Sequence, residues 1–374
     1  MSFSEPKISV IVPTYNREDM IGGCIEAILT QTMSDFEVIV VNDGSTDNTK
    51  EIVEKYHDPR LLFFEKENGG QASARNLGIN KSRGKYISLC DDDDRPYPDH
   101  LMVLNNILDN QEDVGLVYSD AIWIYKDKSR GPEVKYSQDF DKKSLENYNY
   151  IIPQTVMFRN SCLKNTDLFN ESPGFRNGLE DWEFFLRLSD NYVFSHIKKV
   201  TTEYTVHGGN SFHAGSGYDY NRAFYLVRTQ RFQYLISKFG TSIFDHVDHM
   251  YPFDLVHCYI NNGKVEESLD VALKLYSLFK IYRQKSSCTP LTLPMILFSL
   301  GLSSFAAGYK DKARIFFSNI SKCPSYESIK PQFSGFVNQY ISRISNGDLK
   351  VLLANCFYLS PNNLYPKFVK KASH

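Results

Sequence analysis

Tryptophan is scarce in this 374-residue chain, with 2 residues, and cysteine pairs at metal or redox spacing are absent. The seven cysteines (Cys24, Cys90, Cys162, Cys258, Cys288, Cys323 and Cys356) are odd in number, scattered, and never stand as Cys-x-x-Cys. That pattern excludes a zinc ribbon and a disulfide framework, and it implies free thiols in a reducing compartment. An excess of positive charge is also lacking. Lys and Arg number 42 against 44 Asp and Glu, so the bulk charge gives no case for a nucleic-acid partner. No Gly-x-Gly-x-x-Gly follows the first apolar run, which argues against a dinucleotide-dependent oxidoreductase. Met1 to Lys7 is polar and carries no apolar leader, so a cytoplasmic protein is expected. Long hydrophobic runs are few. The uncharged stretch from Ser286 to Tyr309 is diluted by Ser, Thr, Gly, Pro290 and Pro294, whereas a spanning helix needs about 20 mostly apolar residues. A buried core helix is the expectation there.

What is present is an ordinary globular composition, 42% hydrophobic and 23% charged, with 24 Tyr and 26 Phe to fill a core. The length favours two domains. The first 125 residues alternate between two hydrophobic periods. Short β-branched runs at Ile8–Val12 (ended by Pro13), Glu37–Val41, Leu61–Phe64, Tyr86–Cys90 and Val114–Tyr118 read as strands. Between them, Ile21, Ile25, Ile28 and Leu29 mark one helix, with Asn16 and Asp19 as its expected cap. Thr46 or Asp47 is the expected start of a second helix bearing Ile52, Val53 and Tyr56. Ala74 to Asn80 and Leu101 to Leu108 supply two more. This alternation predicts an α/β domain with a mostly parallel sheet covered by helices on both faces. Beyond about residue 215 the periodicity is helical. Cys258–Lys264 and Ser304–Lys310 each read as a helix, a Gly turn and a helix, so helical hairpins or a bundle are expected. The predicted division is 1–215, the α/β domain, and 216–374, an all-α domain.

In such sheets ligands sit at the carboxyl ends of the strands. Pro13-Thr-Tyr-Asn16, Asn42-Asp-Gly-Ser45 and Asp91-Asp-Asp-Asp94 all follow predicted strands, so three polar clusters converge on one sheet edge. Asp91 and Asp93 have the spacing of a carboxylate pair that can hold a divalent ion whose other ligands are phosphate oxygens. A solvated acidic turn would explain the same residues, since Asp favours loops. Asp43 reads as a turn residue or as an acceptor for a base N–H or ribose hydroxyl, and Tyr15 as an exposed aromatic or a stacking partner. Glu180 and Asp181 open an amphipathic helix with Phe184, Phe185 and Leu188. They suit the positive end of its dipole, and equally a general base for an acceptor hydroxyl.

Five stretches, in order over residues 6–215, resemble the large family 2 of inverting glycosyltransferases. They are Ile8-Ser-Val-Ile-Val-Pro-Thr-Tyr-Asn16, Phe36 to Asp47, Ala74-Arg-Asn-Leu-Gly-Ile79, Gly84 to Asp94 and Glu180-Asp-Trp-Glu183. Asn42 departs from the pattern, where an acidic residue is frequent, while Asp43 keeps the carboxylate. The resemblance implies the GT-A (Rossmann-like) fold and a metal-dependent transfer from a nucleotide-diphospho-sugar, first of all a UDP-sugar. It implies that Pro13, Thr14, Tyr15 and Asp43 line the nucleoside pocket, with Arg75 near the nucleotide. Asp91 and Asp92 would touch ribose or metal, and Asp93 would be the most direct ligand of Mn²⁺ or Mg²⁺. His207, in the similar stretch Tyr204-Thr-Val-His-Gly-Gly-Asn-Ser211, would stand near the metal and diphosphate. Asp181 matches the catalytic base, with Glu180 and Trp182 on the acceptor side. Thr155 to Arg159 resembles a strand flanking that side.

The acceptor implied is a glycan or a lipid-linked sugar in cell-surface polysaccharide synthesis. The C-terminal helices are expected to bind acceptor, to form a homo-oligomer, or to rest on the inner face of the cell membrane. Lys367-Phe-Val-Lys-Lys371 offers a mildly basic tail for the last role, although a solvated terminus explains it as well. The alternative function is a non-catalytic sugar-nucleotide binder or scaffold of the same fold. Retention of both acidic constellations argues against it.

Overall fold

The computed structural model describes residues 5–128, 130–135, 137–176, 178–208, 220–282, 290–323, 326–343 and 345–357. Cys288, residues 209–211 of the His207 stretch and the basic tail lie outside the described residues. The chain forms two compact units, Met1–Ala223 and Phe224–His374.

The first unit holds strands β1 (Ile8–Thr14), β2 (Phe36–Asn42), β3 (Leu61–Glu65), β4 (Tyr86–Leu89), β5 (Arg95–Pro96), β6 (Val114–Tyr125), β7 (Glu133–Lys135), β8 (Val156–Arg159) and β9 (Val193–Val206). They make one sheet in the order β3-β2-β1-β4-β8-β6-β9-β5, with β7 on β6. β1 to β4 pair in parallel, as do β6 and β9, while β8, β5 and β7 run against their neighbours. The helices are α1 (Ile21–Leu29), α2 (Thr49–Val53), α3 (Gln71–Lys81), α4 (His100–Asn110), α5 (Lys142–Asn147) and α6 (Glu180–Ser189).

Every residue of β1 and β2 is buried, which is why both read as mostly apolar runs rather than alternating ones. α1 buries Ile21, Cys24, Ile25 and Ile28, a stripe at helical spacing, against that sheet. α3 has Ala72, Ala74 and Gly78 among its buried residues and can lie close. A Cβ on Gly78 would stand 2.5 Å from Ile11 Cγ2, so glycine permits the contact with β1.

Three local expectations are corrected. Pro13 does not end β1, which runs on to Thr14 beside Asn42 of β2. The ladder position of its missing N–H faces the β4 side, where pairing stops at Leu89, so no hydrogen bond is lost. Asn16 does not cap α1, whose first turn has no side-chain cap. It takes a left-handed φ of 52°, which Asn tolerates, and its Oδ1 accepts the Thr46 N–H at 2.8 Å. α2 is a five-residue helix starting at Thr49, with Asp47 Oδ1 accepting the Thr49 N–H and hydroxyl.

The second unit is helical: α7 (Tyr220–Phe239), which spans the division, then α8 (Ile243–His246), α9 (Tyr251–Asn261), α10 (Val265–Tyr282), α11 (Thr292–Ala306), α12 (Lys310–Ile320), α13 (Tyr326–Arg343) and α14 (Gly347–Phe357). Gly263 and Gly308, both at positive φ, turn α9 into α10 and α11 into α12. The uncharged stretch contributes α11, 15 residues long and mostly buried in an aromatic-rich core with Phe253, Phe317, Phe333 and Phe336. Among the described residues no helix is long and apolar enough to cross a membrane.

Candidate active site

Parallel pairing brings the ends of β1, β2 and β4 to one edge, and side chains then stitch the loops together. Asn16 N–H donates to Ser45 Oγ at 2.9 Å, and Ser45 N–H to Asn42 Oδ1 at 2.9 Å. Asp43 is almost wholly buried, and its carboxylate organises the turn that starts α3. It accepts Gly69 N–H at 2.9 Å, Gly70 N–H at 2.7 Å and Lys66 Nζ at 2.8 Å. Gly70 has φ +91°, and a Cβ there would meet the Arg176 carbonyl at 2.5 Å, so the turn requires glycine. Arg176 in turn donates to Asn68. Pro13 and Thr14 are buried at the end of β1, whereas Tyr15 is 45% exposed, its ring open for stacking.

The four aspartates occupy different environments. Asp91 Oδ1 receives Arg75 at 2.6 Å. Asp92 is buried, and burial with the neighbouring Asp93 charge pushes its carboxyl well above the usual range, against the pull of Arg17 at 3.4 Å. Asp93 Oδ2 lies 2.9 Å from His207 Nε2. Asp94 is turned inward and accepts the Thr205 N–H of β9 at 2.8 Å. Burial and then the Asp93 charge raise its carboxyl. The run therefore splits into one residue on the Arg75 cation, one buried beside Arg17, one with a histidine, and one that fastens β9.

Arg75 is 1% exposed and joins the two acidic constellations: one guanidinium nitrogen reaches Asp91 and the other Glu180. Opposing carboxylates hold it fully charged despite its burial. Glu180 is presented by an unusual entry to α6. Leu179 takes a left-handed φ of 62°, a conformation that costs a non-glycine residue roughly 1 kcal/mol and turns the chain sharply into the helix. Asp181, the next residue, keeps part of its surface open. Its Oδ1 accepts the Trp182 N–H at 2.7 Å and its Oδ2 the Asn149 side-chain amide at 3.0 Å. The surrounding protein disfavours its charge and raises its carboxyl, against Arg75 and these two hydrogen bonds.

Trp182, expected on the acceptor side, is instead 1% exposed, and its indole N–H donates to the Leu145 carbonyl at 2.7 Å. It anchors α6 to the interior. Arg75, expected beside the nucleotide, is buried, with its two terminal nitrogens donating to Asp91 and Glu180. Arg17, Lys66 and Asn149 belong to the site and stood out from no sequence pattern.

Among the described residues no group of three or more His, Cys, Asp or Glu is arranged to hold a metal ion. Asp93 and His207 still fit the protein side of one. A carboxylate oxygen and an imidazole nitrogen converge at the sheet edge, and small hard cations bound with phosphate commonly take only one or two protein ligands. Asp91 fits less well, being committed to Arg75.

Residues 9–167 match the family model described as Glycosyl transferase family 2. The chain is 30% identical over 245 residues to a chondroitin synthase of Pasteurella multocida, covering 65% of this chain and 25% of that protein. A hyaluronan synthase of Pasteurella multocida matches to the same extent. An uncharacterized glycosyltransferase of Rickettsia typhi is 33% identical over 198 residues, 51% of this chain and 62% of the other. The chain thus spans about a quarter of the two synthases. Among solved structures, residues 1–349 of S. aureus TarS in complex with UDP share the fold, with a TM-score of 0.55 and 21% identity over 86% of this chain and 91% of that one.

Proposed function

The N-terminal unit belongs to glycosyl transferase family 2, and from that premise we propose that the chain is an inverting glycosyltransferase. It moves a sugar from a nucleotide-diphospho-sugar to an acceptor hydroxyl in polysaccharide synthesis. The observation that carries the reading is the bridge through Arg75, which sets the Asp91–Asp94 run and the Glu180–Asp181 pair on either side of one buried cation. A donor end and an acceptor end are thereby held at one sheet edge, which a solvated acidic turn would not need.

Pro13, Thr14, Tyr15 and Asp43 are assigned to the nucleoside, Asp43 by shaping the Gly69–Gly70 turn. Asp93 and His207 would hold Mn²⁺ or Mg²⁺, with Asp92 beside them and Asp91 keeping Arg75 in place. When bound, such a cation neutralises charge growing on the departing diphosphate. Asp181 takes the acceptor hydroxyl proton as that oxygen attacks the anomeric carbon opposite the diphosphate, which inverts the configuration. Each of its carboxylate oxygens has a second lone pair free for this. Glu180, neutralised by Arg75, orients the helix turn that carries the base. The relatives named for chondroitin and hyaluronan synthesis support a glycan acceptor, and the TarS complexes with UDP and UDP-GlcNAc make uridine donors the first to try. The helical unit is assigned to acceptor binding or self-association.

UDP release from UDP-N-acetylglucosamine with Mn²⁺ tests the reading. Asp181→Asn should cut turnover by about 10²–10⁴-fold, the usual worth of a general base, and leave UDP binding within about twofold. Unchanged turnover in that variant, or turnover indifferent to chelator, would sink it.

A further inference from the structure

We propose that Asn149 is the positioning residue for Asp181: its side-chain amide fixes the direction of that carboxylate and favours its ionised form. The naming of the carboxylate as a base rests on the proposed function; the contact itself does not.

The orientation of the Asn149 amide follows from its partners. Its Oδ1 accepts the Ile151 N–H at 3.2 Å, so the NH₂ half is the one that meets Asp181 Oδ2, at 3.0 Å. A flipped amide would set its oxygen against the carboxylate and an N–H₂ against an N–H. The residue is also held on both flanks. Tyr150 is buried, and its hydroxyl accepts the Asp141 N–H at 2.8 Å and donates to the Asp141 carbonyl at 3.0 Å. Tyr148 packs its ring 5.7 Å from that of Tyr150 and donates to Gln138 Oε1 at 2.9 Å. Asp141 caps α5. The same helix supplies the Leu145 carbonyl that holds the Trp182 indole. Both hydrogen bonds on Asp181, from Asn149 and from the Trp182 backbone, are therefore referred to one short, capped helix.

A neutral donor suits the charge balance. The charged or titratable groups facing Asp181 are Arg75 of α3, Asp91 after β4, and Glu180 of its own helix. Arg75 is already shared by Asp91 and Glu180. Burial first, and then the Asp91 charge, disfavour ionisation of Asp181, while Arg75, the Trp182 N–H and the uncharged Asn149 amide oppose them. A cation at position 149 would make an ion pair and a weaker base, and an apolar residue would remove one of the contacts that favour the charged form; an amide supports that form without neutralising it.

The test uses the full chain with ¹³C-labelled aspartate, the Asp181 signal being identified by its loss in Asp181→Asn. Asn149→Asp is isosteric and keeps an acceptor for Ile151 N–H while placing a second carboxylate on Asp181. Asn149→Leu removes the donor without adding charge. The Asp181 midpoint should rise by about one pH unit in Asn149→Leu and by about two in Asn149→Asp. In UDP release from UDP-N-acetylglucosamine with Mn²⁺, the acidic limb of kcat/KM should move by the same amounts, with donor KM within about twofold. Midpoints that stay put in both variants overturn the proposal, even if Asp181→Asn abolishes turnover. Midpoints that move while Asp181→Asn keeps turnover uphold the hold of Asn149 on Asp181 and sink the base assignment instead.

Discussion

Arg75 is the residue whose loss should be felt most sharply, and the structure sets the size of the effect. Arg75→Met keeps much of the aliphatic volume and deletes the charge. Of the two carboxylates it serves, Asp91 has 18% of its side chain exposed and can turn to water, whereas Glu180 has 2% and cannot. Nearly all of the cost therefore falls on Glu180, and stranding one partner of a buried pair costs about 3–5 kcal/mol. For a unit of this size that is a fall in Tm of about 8–15 °C. The only two tryptophans, Trp123 and Trp182, both lie in the first unit, so tryptophan fluorescence during urea unfolding reports that unit alone. The deficit should grow with pH between about 6 and 8. Burial already pushes the Glu180 carboxyl up to about 7, and without Arg75 it lies higher still. The folded form then binds more protons than the unfolded one, and stability falls as pH rises. Adding Glu180→Leu to Arg75→Met should recover at least about 2 kcal/mol, because no charge is left stranded. A cost below about 1 kcal/mol for the single variant, or no recovery in the double, would refute the argument.

His100 should make the first unit acid-labile. Burial lowers its pKa to about 4, so the unfolded chain binds the proton first and stability drains away as pH falls from about 6.5 to about 4, by at most about 3 kcal/mol. His100→Gln should remove that part of the slope in urea midpoints followed by tryptophan fluorescence. In the second unit, a Cβ on Gly301 would lie 2.3 Å from Phe317 Cε1, at the contact of α11 with α12. Gly301→Ala should destabilise the unit by about 1–2 kcal/mol, overpacking outweighing the roughly 1 kcal/mol gain in helix propensity. Thermal melting by circular dichroism checks this, and Phe317→Leu in the same chain should restore part of the loss.

Several sequence features survive unchanged in the structure because their cause is local. Ile8–Val12, Glu37–Val41 and Tyr86–Leu89 are buried throughout and mostly apolar because both faces of the sheet are covered there, and burial of both faces leaves no polar alternation to disguise the strand. β9 had no such signature. Lys198, Lys199, Thr201, Thr202 and Glu203 read as polar, and the strand exists because β6 lies beside it through an irregular register. A resemblance spread over five short motifs located the acidic run and Asp181, since each motif follows an element end that the chain itself marks.

By itself, then, the sequence determined the apolar strands and the helices between them, that three polar loops share a sheet edge, and which carboxylates stand there. Tertiary structure alone decided what those carboxylates do. Arg75 meets Glu180 across 105 positions, His207 meets Asp93 across 114, and Asn149 meets Asp181 across 32. It also decided that Trp182 faces inward and that Asp94 fastens β9. Hydrophobic periodicity and turn chemistry report only the geometry within a few residues. The ionisation of a carboxylate depends on which distant donors and charges fold against it and how much water they exclude.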